Sequence, residues 1–202
     1  MTTTIEAPAP PVTERHSVSS TAVVAVVKTR PETVLEDYKR AMEAARWRTT
    51  LDLDRDTIIK LNLSWTKYFP ACSTQPWQLE GTLQTLLDAG MSRDRLIPLE
   101  NKTVVTEPWA GCRNNRWEPV LKRMGLTFTA LPEVPWQVYQ FKSPLLKLNE
   151  IFPDGIEIPK LYPGRQIVHL PTIKTHGHAV TTGAVKNAFG GLLKEVRHYA
   201  HK

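Results

Sequence analysis

Short runs of strand-forming residues alternate with helical patterns along this chain, and this alternation limits the fold more than any other feature. Strand patterns rich in Val, Ile and Leu fall at residues 21–28, 57–63, 95–100, 126–131 and 165–170. Helical patterns fall at residues 31–47, 74–90 and 114–124 and from residue 183 onward. Strands that alternate with helices pair in one direction, because each helix carries the chain back across the sheet. We therefore predict a single α/β domain with a mostly parallel sheet flanked by helices.

Two segments depart from this alternation. Residues 1–20 combine three prolines with many threonines and serines and predict a disordered tail, so the α/β domain is expected to span residues 21–202. Residues 132–163 carry scattered prolines and aromatic residues and predict a flap or a short hairpin. The hydrophobic content of 41% and charged content of 23% exclude wholesale disorder and fit one domain with one core.

Polar residues follow three of the predicted strands, at residues 62–65, 100–102 and 174–186. In open parallel sheets, ligands bind beyond the carboxyl ends of the strands. Ser73 and Thr74 precede a predicted helix and belong to the same edge. If the sheet is parallel, we expect these segments to converge on one crevice.

The segment after the last predicted strand has the densest set of chemically active side chains. Residues 174–178 are polar and contain a glycine, so they predict a loop. Thr181 and Thr182 are good N-caps for a helix that opens at Gly183. A helix N-terminus presents unpaired amide groups and the positive end of the helix dipole, which together bind phosphate or carboxylate. The segment therefore predicts an anion pocket.

Titratable side chains surround this predicted pocket. Lys174 and Lys186 would hold negative charge, and His176 can exchange protons near neutral pH, so these three are the candidate catalytic residues. The candidate residues for binding the ligand or a cofactor are Thr181, Thr182, Gly183, Asn187 and His178.

The same residues also have purely structural interpretations. A threonine pair before a helix can be a cap alone, and a lysine in a first helical turn usually faces solvent. His169 alternates with apolar neighbours and is interpreted as a structural histidine. The segment is not a nucleotide P-loop, because Val185 rather than glycine precedes Lys186.

Composition argues against several classes of protein. No apolar run approaches the roughly 20 residues of a membrane span. Cys72 and Cys112 lack a CxxC context and cannot by themselves hold an iron–sulfur cluster or a tetrahedral zinc ion, so we expect reduced thiols in a cytoplasmic protein. The net charge of +6 comes from scattered basic residues, so nucleic-acid binding, which would weaken steeply with salt, is not favoured.

Three segments resemble domain-of-unknown-function family 362 of bacteria and archaea: IIKLNLSW at 58–65, CSTQPWQLEGTLQTLLDAG at 72–90, and LPTIKTH with TTGAVKNAFGGLL within 170–193. The likeness covers residues 21–202, with Leu61 where many members have proline. Members commonly continue past the histidine-rich end, so this chain resembles an N-terminal portion or a shortened member. Some relatives carry a ferredoxin-type cysteine module that is missing here, so no iron–sulfur cluster is expected.

A more distant similarity is to the nickel-pincer lactate racemases, which place a histidine ten residues before a lysine and a further histidine later. Here His176 lies ten positions before Lys186 (186 minus 176), and His198 and His201 follow. The resemblance implies that Lys186 anchors a nickel-pincer nucleotide, that His176 transfers a proton, and that His198 or His201 contacts a metal ion. Taken alone, His198 and His201 could share a metal on one helix face or be solvated.

Two classes of function remain open. The chain is an enzyme, or the front half of one, that performs acid/base chemistry on a small anionic metabolite. Alternatively, it is a non-catalytic anion- or metal-binding module whose site is completed by a homo-oligomer or by a missing C-terminal segment. The substrate and the reaction cannot be named from these residues.

Overall fold

The computed structural model describes residues 22–145 and 147–194 of the chain. The strands are β1 (Thr57–Lys60), β2 (Leu96–Glu100), β3 (Thr129–Ala130), β4 (Trp136–Tyr139), β5 (Ile156–Pro159), β6 (Gln166–His169), β7 (Lys174–His176) and β8 (Val180–Thr182). The helices are α1 (Val34–Ala44), α2 (Pro76–Asp88), α3 (Pro108–Asn114), α4 (Trp117–Met124), α5 (Lys147–Ile151) and α6 (Ala184–Leu192). Across these described ranges, no helix has both the length and the apolar composition needed to cross a bilayer.

A parallel sheet with the strand order β3-β2-β1-β6 forms the centre of the domain. Each neighbouring pair is parallel, and Thr57 of β1 lies between Leu96 of β2 and Gln166 of β6. The chain fills the sheet from β1 towards β3 and then returns to place β6 on the other side of β1. The order therefore reverses between β1 and β6, which is the point where open α/β sheets form a ligand crevice. The predicted α/β fold with a parallel sheet is confirmed.

The two faces of the sheet are covered by different elements. Ile59 belongs to a core that includes Leu83 of α2 and Val120 of α4, whereas Ile58 points to the opposite face and packs with Leu99 and Tyr162. This alternation follows from the two-residue period of a strand. On the second face, the antiparallel pair of β4 and β5 contributes to a core that also contains side chains of α6. Residues 132–163, predicted to form a flap or a short hairpin, therefore contain an antiparallel strand pair, but α5 lies in the long connection between its two strands.

Pro98 lies in β2 between two neighbouring strands, although proline cannot donate a hydrogen bond. The amide of Leu61 donates to the carbonyl of Leu99 at 3.1 Å, so Leu99 faces β1 and Pro98 faces the side of β3. Strand β3 begins to pair with β2 only at Leu99, one residue further along. The missing amide of Pro98 therefore costs the sheet no ladder hydrogen bond.

Several expected boundaries are wrong. Residues 22–28 form no strand: Val24 is 83% and Val26 92% exposed, because no strand among the described residues pairs with this apolar run. The helix predicted over residues 114–124 begins later, as α4, because Arg116 before it adopts a left-handed φ of 60°. Helix α3, which ends at Asn114, was not predicted. The strand predicted over residues 126–131 is shorter in the structure, where only β3 forms. Gly125, with a φ of 67°, ends α4 as predicted. The tail predicted over residues 1–20 lies outside the described residues.

The segment after β6 also differs from its prediction. Residues 174–178, expected to be a loop, contribute β7 to an antiparallel hairpin with β8. Thr181 and Thr182 belong to β8 and do not cap α6, whose N-cap is Gly183 without a side-chain cap hydrogen bond. Pairing between these two strands depends on partners four to eight residues away, which a local propensity argument does not detect.

Candidate functional site

A buried ion pair lies at the carboxyl ends of β1 and β2. Nζ of Lys60 lies 2.6 Å from Oε1 of Glu100, and both residues are almost inaccessible, with exposed fractions of 1% and 4%. The same ammonium donates to the carbonyl of Leu61 at 2.7 Å and to Oδ1 of Asn187 at 3.2 Å. Burying two charges is favourable only when hydrogen bonds replace the water that each one loses. Lys60 meets this requirement with three acceptors.

The carboxylate of Glu100 is hydrogen-bonded on both oxygens. Oε2 accepts the amide of Leu63 at 2.8 Å, and Oε1 accepts the amide of Asn101 at 2.7 Å in addition to the Lys60 ammonium. Charge-assisted bonds of this kind are stronger than bonds between neutral groups. The loop after β1 and the loop after β2 are therefore both fixed to one carboxylate.

Helix α6 packs closely over this ion pair. Asn187 contacts Lys60, and Nδ2 of Asn101 donates to the carbonyls of Gly190 and Leu193 at 3.3 and 2.8 Å. A Cβ atom at Gly191 would lie 2.7 Å from Cε of Lys60, closer than such carbon atoms approach one another. Glycine at this position therefore allows the close packing of α6 over β1.

Thr74 links the segments that follow β1 and β6 by hydrogen bonds. Its hydroxyl donates to the carbonyl of Leu170 at 2.7 Å and accepts the amide of Asn62 at 2.8 Å. The predicted convergence of the polar segments at the carboxyl edge is confirmed by these bonds and by Lys174, whose Nζ donates to Oδ1 of Asn62 at 2.8 Å.

Lys174 is half-buried, and its surroundings shift its pKa. Burial has the largest effect and lowers the pKa of Lys174. Cys72 opposes this shift, Lys186 lowers the pKa further, and Glu100 opposes it. A half-buried ammonium beside another cation gains from binding an anion, because the anion offsets both the lost solvation and the repulsion. Lys174 is therefore well placed to hold a negatively charged ligand.

His176 contacts Lys186 across the hairpin and the start of α6. Nε2 of His176 lies 3.1 Å from Nζ of Lys186. The other ring nitrogen, Nδ1, accepts the backbone amides of His178 and Ala179, each at 3.1 Å. A neutral imidazole has one N–H group and one lone pair, so two donors on Nδ1 favour the proton on Nε2. That N–H group then points to the amine of Lys186, which accepts it only in the uncharged form.

The turn that supplies these two amides is strained. Val180 pairs with His176 and has a φ of 61°, a left-handed conformation that β-branched residues rarely adopt. Such strain costs about 1–3 kcal/mol and is most frequent at functional sites. In this hairpin it accompanies the arrangement that directs two amides to Nδ1 of His176.

Three buried polar atoms near the ends of β6 and β8 have no hydrogen-bond partner in the described part of the chain. They are Nδ1 of His169, Oγ1 of Thr172 and Oγ1 of Thr182. Burial, and secondarily the charge of Lys60, lowers the pKa of His169 to about 4, so the imidazole is neutral at physiological pH. Buried polar atoms without partners are uncommon, and a bound ligand is one way to satisfy them. The interpretation of His169 as a fully hydrogen-bonded structural histidine is wrong at Nδ1.

The predicted site residues are only partly brought together. Lys174, His176, Lys186, Asn187 and Thr182 lie at one edge of the domain around β7, β8 and α6. Thr181 is exposed, and its hydroxyl reaches only the carbonyl of Lys174 at 3.5 Å. His178 is exposed and contributes a backbone amide, while Gly183 contributes the N-cap of α6. His198 and His201 lie outside the described residues.

A metal centre has no support in residues 22–145 and 147–194. There, no group of three or more His, Cys, Asp or Glu side chains is arranged to hold a metal ion. Cys72 is half-buried, Cys112 is buried, and both are free thiols. The described part of the site therefore consists of amines, imidazole, amides, hydroxyls and the carboxylate of Glu100, which is paired with Lys60.

Lys60 is the functional residue that sequence reasoning missed. It lies within the apolar run TIIKLNL, and a lysine in such a run is ordinarily expected to point to solvent. Its signal was present nonetheless, since a second charged residue, Glu100, ends the next strand. The glycines at 190 and 191 within a helical pattern were a further signal of close helix packing.

Comparison with known proteins gives one match to a family. The family described as Domain of unknown function (DUF362) matches residues 57–202 of the chain. The matched segment begins at β1 and includes the ion pair, the hairpin and the start of α6. No curated protein and no solved structure matches the chain.

Proposed function

Because the chain belongs to the DUF362 family, we propose that the site at the carboxyl edge of its sheet is a family site that binds a small anionic metabolite and acts on it by proton transfer. In this proposal Lys174 holds the negative charge of the metabolite. The pair of His176 and Lys186 moves a proton to or from the reacting atom. The buried Lys60–Glu100 pair keeps the loops and α6 in place.

The contact between Nε2 of His176 and Nζ of Lys186 carries the proposal. Two groups that titrate, one of them oriented by two backbone amides, lie at hydrogen-bond distance from each other. A positioned acid/base pair of this type contributes roughly 10²–10⁴-fold to a reaction that needs proton transfer. A purely structural histidine would not need to contact an amine.

The position of the pair relative to an anion supports the same conclusion. Lys174 and His176 are both in β7, and Lys186 is close enough to Lys174 to influence its charge. The site also lies at the switch point between β1 and β6, the position at which open parallel sheets bind ligands. An anion held by Lys174 would therefore be near the His176–Lys186 pair.

The experiment measures binding and proton exchange separately. Isothermal titration calorimetry with pyruvate, lactate and phosphate reports binding, and proton NMR in D₂O reports exchange of carbon-bound protons of pyruvate and lactate. Lys174→Met is expected to weaken binding by roughly tenfold or more, since a hydrogen bond to a charged group contributes about 1.5–3 kcal/mol. His176→Gln is expected to retain binding and to lose exchange.

Lys122→Met is the matched control, because it removes the same positive charge from an exposed lysine in α4, which is distant from Lys174 in the sequence. This control should bind and exchange as the wild type does. Binding without exchange in the wild type would favour the alternative function, a non-catalytic anion-binding module. A wild type that binds none of the three anions would contradict the proposal.

A relation to nickel-pincer racemases is a second proposal, supported by a single observation. The ten-residue separation of His176 and Lys186 is realised in space as a direct contact, which a lysine that anchors a cofactor beside a proton-transferring histidine would need. Native mass spectrometry with elemental analysis of freshly purified protein tests it. A bound nucleotide mass with stoichiometric nickel is expected on this view, and protein without either contradicts it.

A further inference from the structure

We propose that Lys186 is a nucleophile that forms an imine with the carbonyl group of a small 2-oxo acid. This inference rests on the proposed function, because it assigns a substrate class and a covalent step to the same site. It goes beyond proton transfer, since the amine of Lys186 would bond to the carbon of the substrate.

The hydrogen bonds of His176 give the first argument. Both amides of the turn, from His178 and Ala179, point to Nδ1 and leave Nε2 as the ring nitrogen that carries the proton. Nε2–H then faces Nζ of Lys186, which lies at a hydrogen-bond distance of 3.1 Å. Only an uncharged amine has a lone pair to accept this bond. An uncharged amine is also the form that attacks a carbonyl carbon.

The second argument is the surrounding charge. Lys174 and Lys186 lie close enough that the charge of Lys186 lowers the pKa of Lys174. Two ammonium groups repel each other, so one of the two amines is favoured in its uncharged form. The geometry selects Lys186 for this form, because Nζ of Lys174 donates to Asn62 and Thr172 whereas Nζ of Lys186 faces Nε2 of His176. Lysines that form imines are activated in this manner, by a neighbouring cation or by loss of solvent. Lys186 is half-buried and has such a cation beside it.

The third argument concerns the substrate. A 2-oxo acid has its carboxylate on the carbon next to the carbonyl carbon, so its site needs a cation close to the attacking amine. Lys174 supplies that cation and is oriented by Asn62 at 2.8 Å and by the carbonyl of Thr172 at 3.4 Å. Thr182 pairs with Lys174 across the hairpin, and its buried hydroxyl finds no partner within the described chain. A substrate oxygen would satisfy that hydroxyl.

The step balances with the groups present. The lone pair of the Lys186 amine forms a bond to the carbonyl carbon, the C=O π bond breaks, and the oxygen takes the proton from Nε2 of His176. The nitrogen, now positively charged, returns one proton to Nε2. The C–O bond then breaks, and the oxygen leaves as water with the second proton, which passes from nitrogen through His176. The sum is one amine and one ketone giving one imine and one water.

Reductive trapping tests the inference. The full chain is incubated with pyruvate and sodium cyanoborohydride, which reduces an imine to a stable secondary amine, and intact-protein and peptide mass spectrometry locate the adduct. We expect one pyruvate adduct, on Lys186. Lys186→Arg should lose it, and Lys174→Met should reduce it by roughly tenfold. Lys122→Met, the exposed control in α4, should keep it.

The possible failures are distinguishable. Pyruvate that binds by calorimetry but leaves no adduct on Lys186 would overturn the imine and leave the anion site intact. Adducts spread over exposed lysines, and unchanged in Lys186→Arg, would overturn it equally. Failure of pyruvate, lactate and phosphate to bind at all would overturn the proposed function together with this inference. Circular dichroism of Lys186→Arg ensures that a lost adduct is not caused by unfolding.

Discussion

Nζ of Lys60 lies 2.6 Å from Oε1 of Glu100, and both side chains are buried beneath α6 at the ends of adjacent parallel strands. This pair joins three parts of the chain, because the carboxylate also binds the amides of Leu63 and Asn101 and the ammonium also binds Asn187. The candidate site is therefore built over an ionic core.

Replacing only one partner of this ion pair should lower the stability of the fold. Lys60→Met and Glu100→Leu are each expected to lower the free energy of unfolding by about 3–5 kcal/mol, because each leaves one buried charge uncompensated. The double variant should lose less than the sum of the two. Urea denaturation measures all three, with Lys122→Met as a surface ion-pair control expected to change stability by under about 1 kcal/mol. Strict additivity of the two changes would contradict a direct coupling.

The lowered pKa of His169 predicts that the free energy of unfolding depends on pH. Its pKa is lowered from 6.5 to about 4 by burial and by the charge of Lys60, so between these values the unfolded chain binds more protons than the folded one. The contribution of His169 is therefore full above about pH 6.5 and is lost as the pH falls towards 4, by roughly 2 kcal/mol after allowance for solvent screening. Thermal denaturation from pH 4 to pH 8 should show a shallower slope for His169→Gln. An unchanged slope, equal to that of the exposed control His178→Gln, would refute the assignment.

The two cysteines should differ in reactivity. Burial raises the pKa of the Cys112 thiol to about 12, and the carboxylate of Glu118 adds to the shift while Arg113 opposes it. Because the thiolate is the reactive form, Cys112 should resist iodoacetamide at pH 8 in the folded protein. Cys72 is half-buried and should be alkylated first. Peptide mass spectrometry after timed quenching measures both rates, and a urea-unfolded sample, in which both should react, is the control. Equal rates in the folded protein would contradict the burial of Cys112.

Anion binding should weaken at alkaline pH earlier than a typical lysine site would. Burial lowers the pKa of Lys174, so its ammonium loses its charge at a lower pH than the ordinary value of 10.5, and affinity falls as the pH rises through that lowered value. Calorimetric titration with oxalate, which stays fully ionised above neutral pH, measures this decline. Lys174→Arg should flatten the profile, because a guanidinium keeps its charge throughout this range. Superimposable profiles for the two proteins would exclude Lys174 as the anion-holding group.

Local patterns predicted most of the strands and helices correctly. The β-rich runs at β1, β2 and β6 and the helices α2 and α6 follow from side-chain period, a proline in the first turn of α2, and glycine at the end of α4. The apolar run at 22–28 shows the limit of this reasoning, because a strand needs a partner and no strand in the part of the chain that the structure describes pairs with it. Arg116 shows another limit, since a left-handed residue between α3 and α4 carries no clear mark in the sequence.

The candidate site was likewise predicted only in part, because local patterns do not show which side chains meet in the folded chain. Local patterns were enough to predict which titratable residues follow β6 and that strands alternate with helices, because both depend on neighbours along the chain. Three features are visible only in the folded chain: the burial of Lys60 against Glu100, the hairpin that residues 174–182 form instead of a loop and a helix cap, and the contact between His176 and Lys186. The Lys60–Glu100 pair joins residues 40 positions apart, and the other two features depend on strand pairing and side-chain contact in space. In each case, pairing or the burial of charge outweighs local preference.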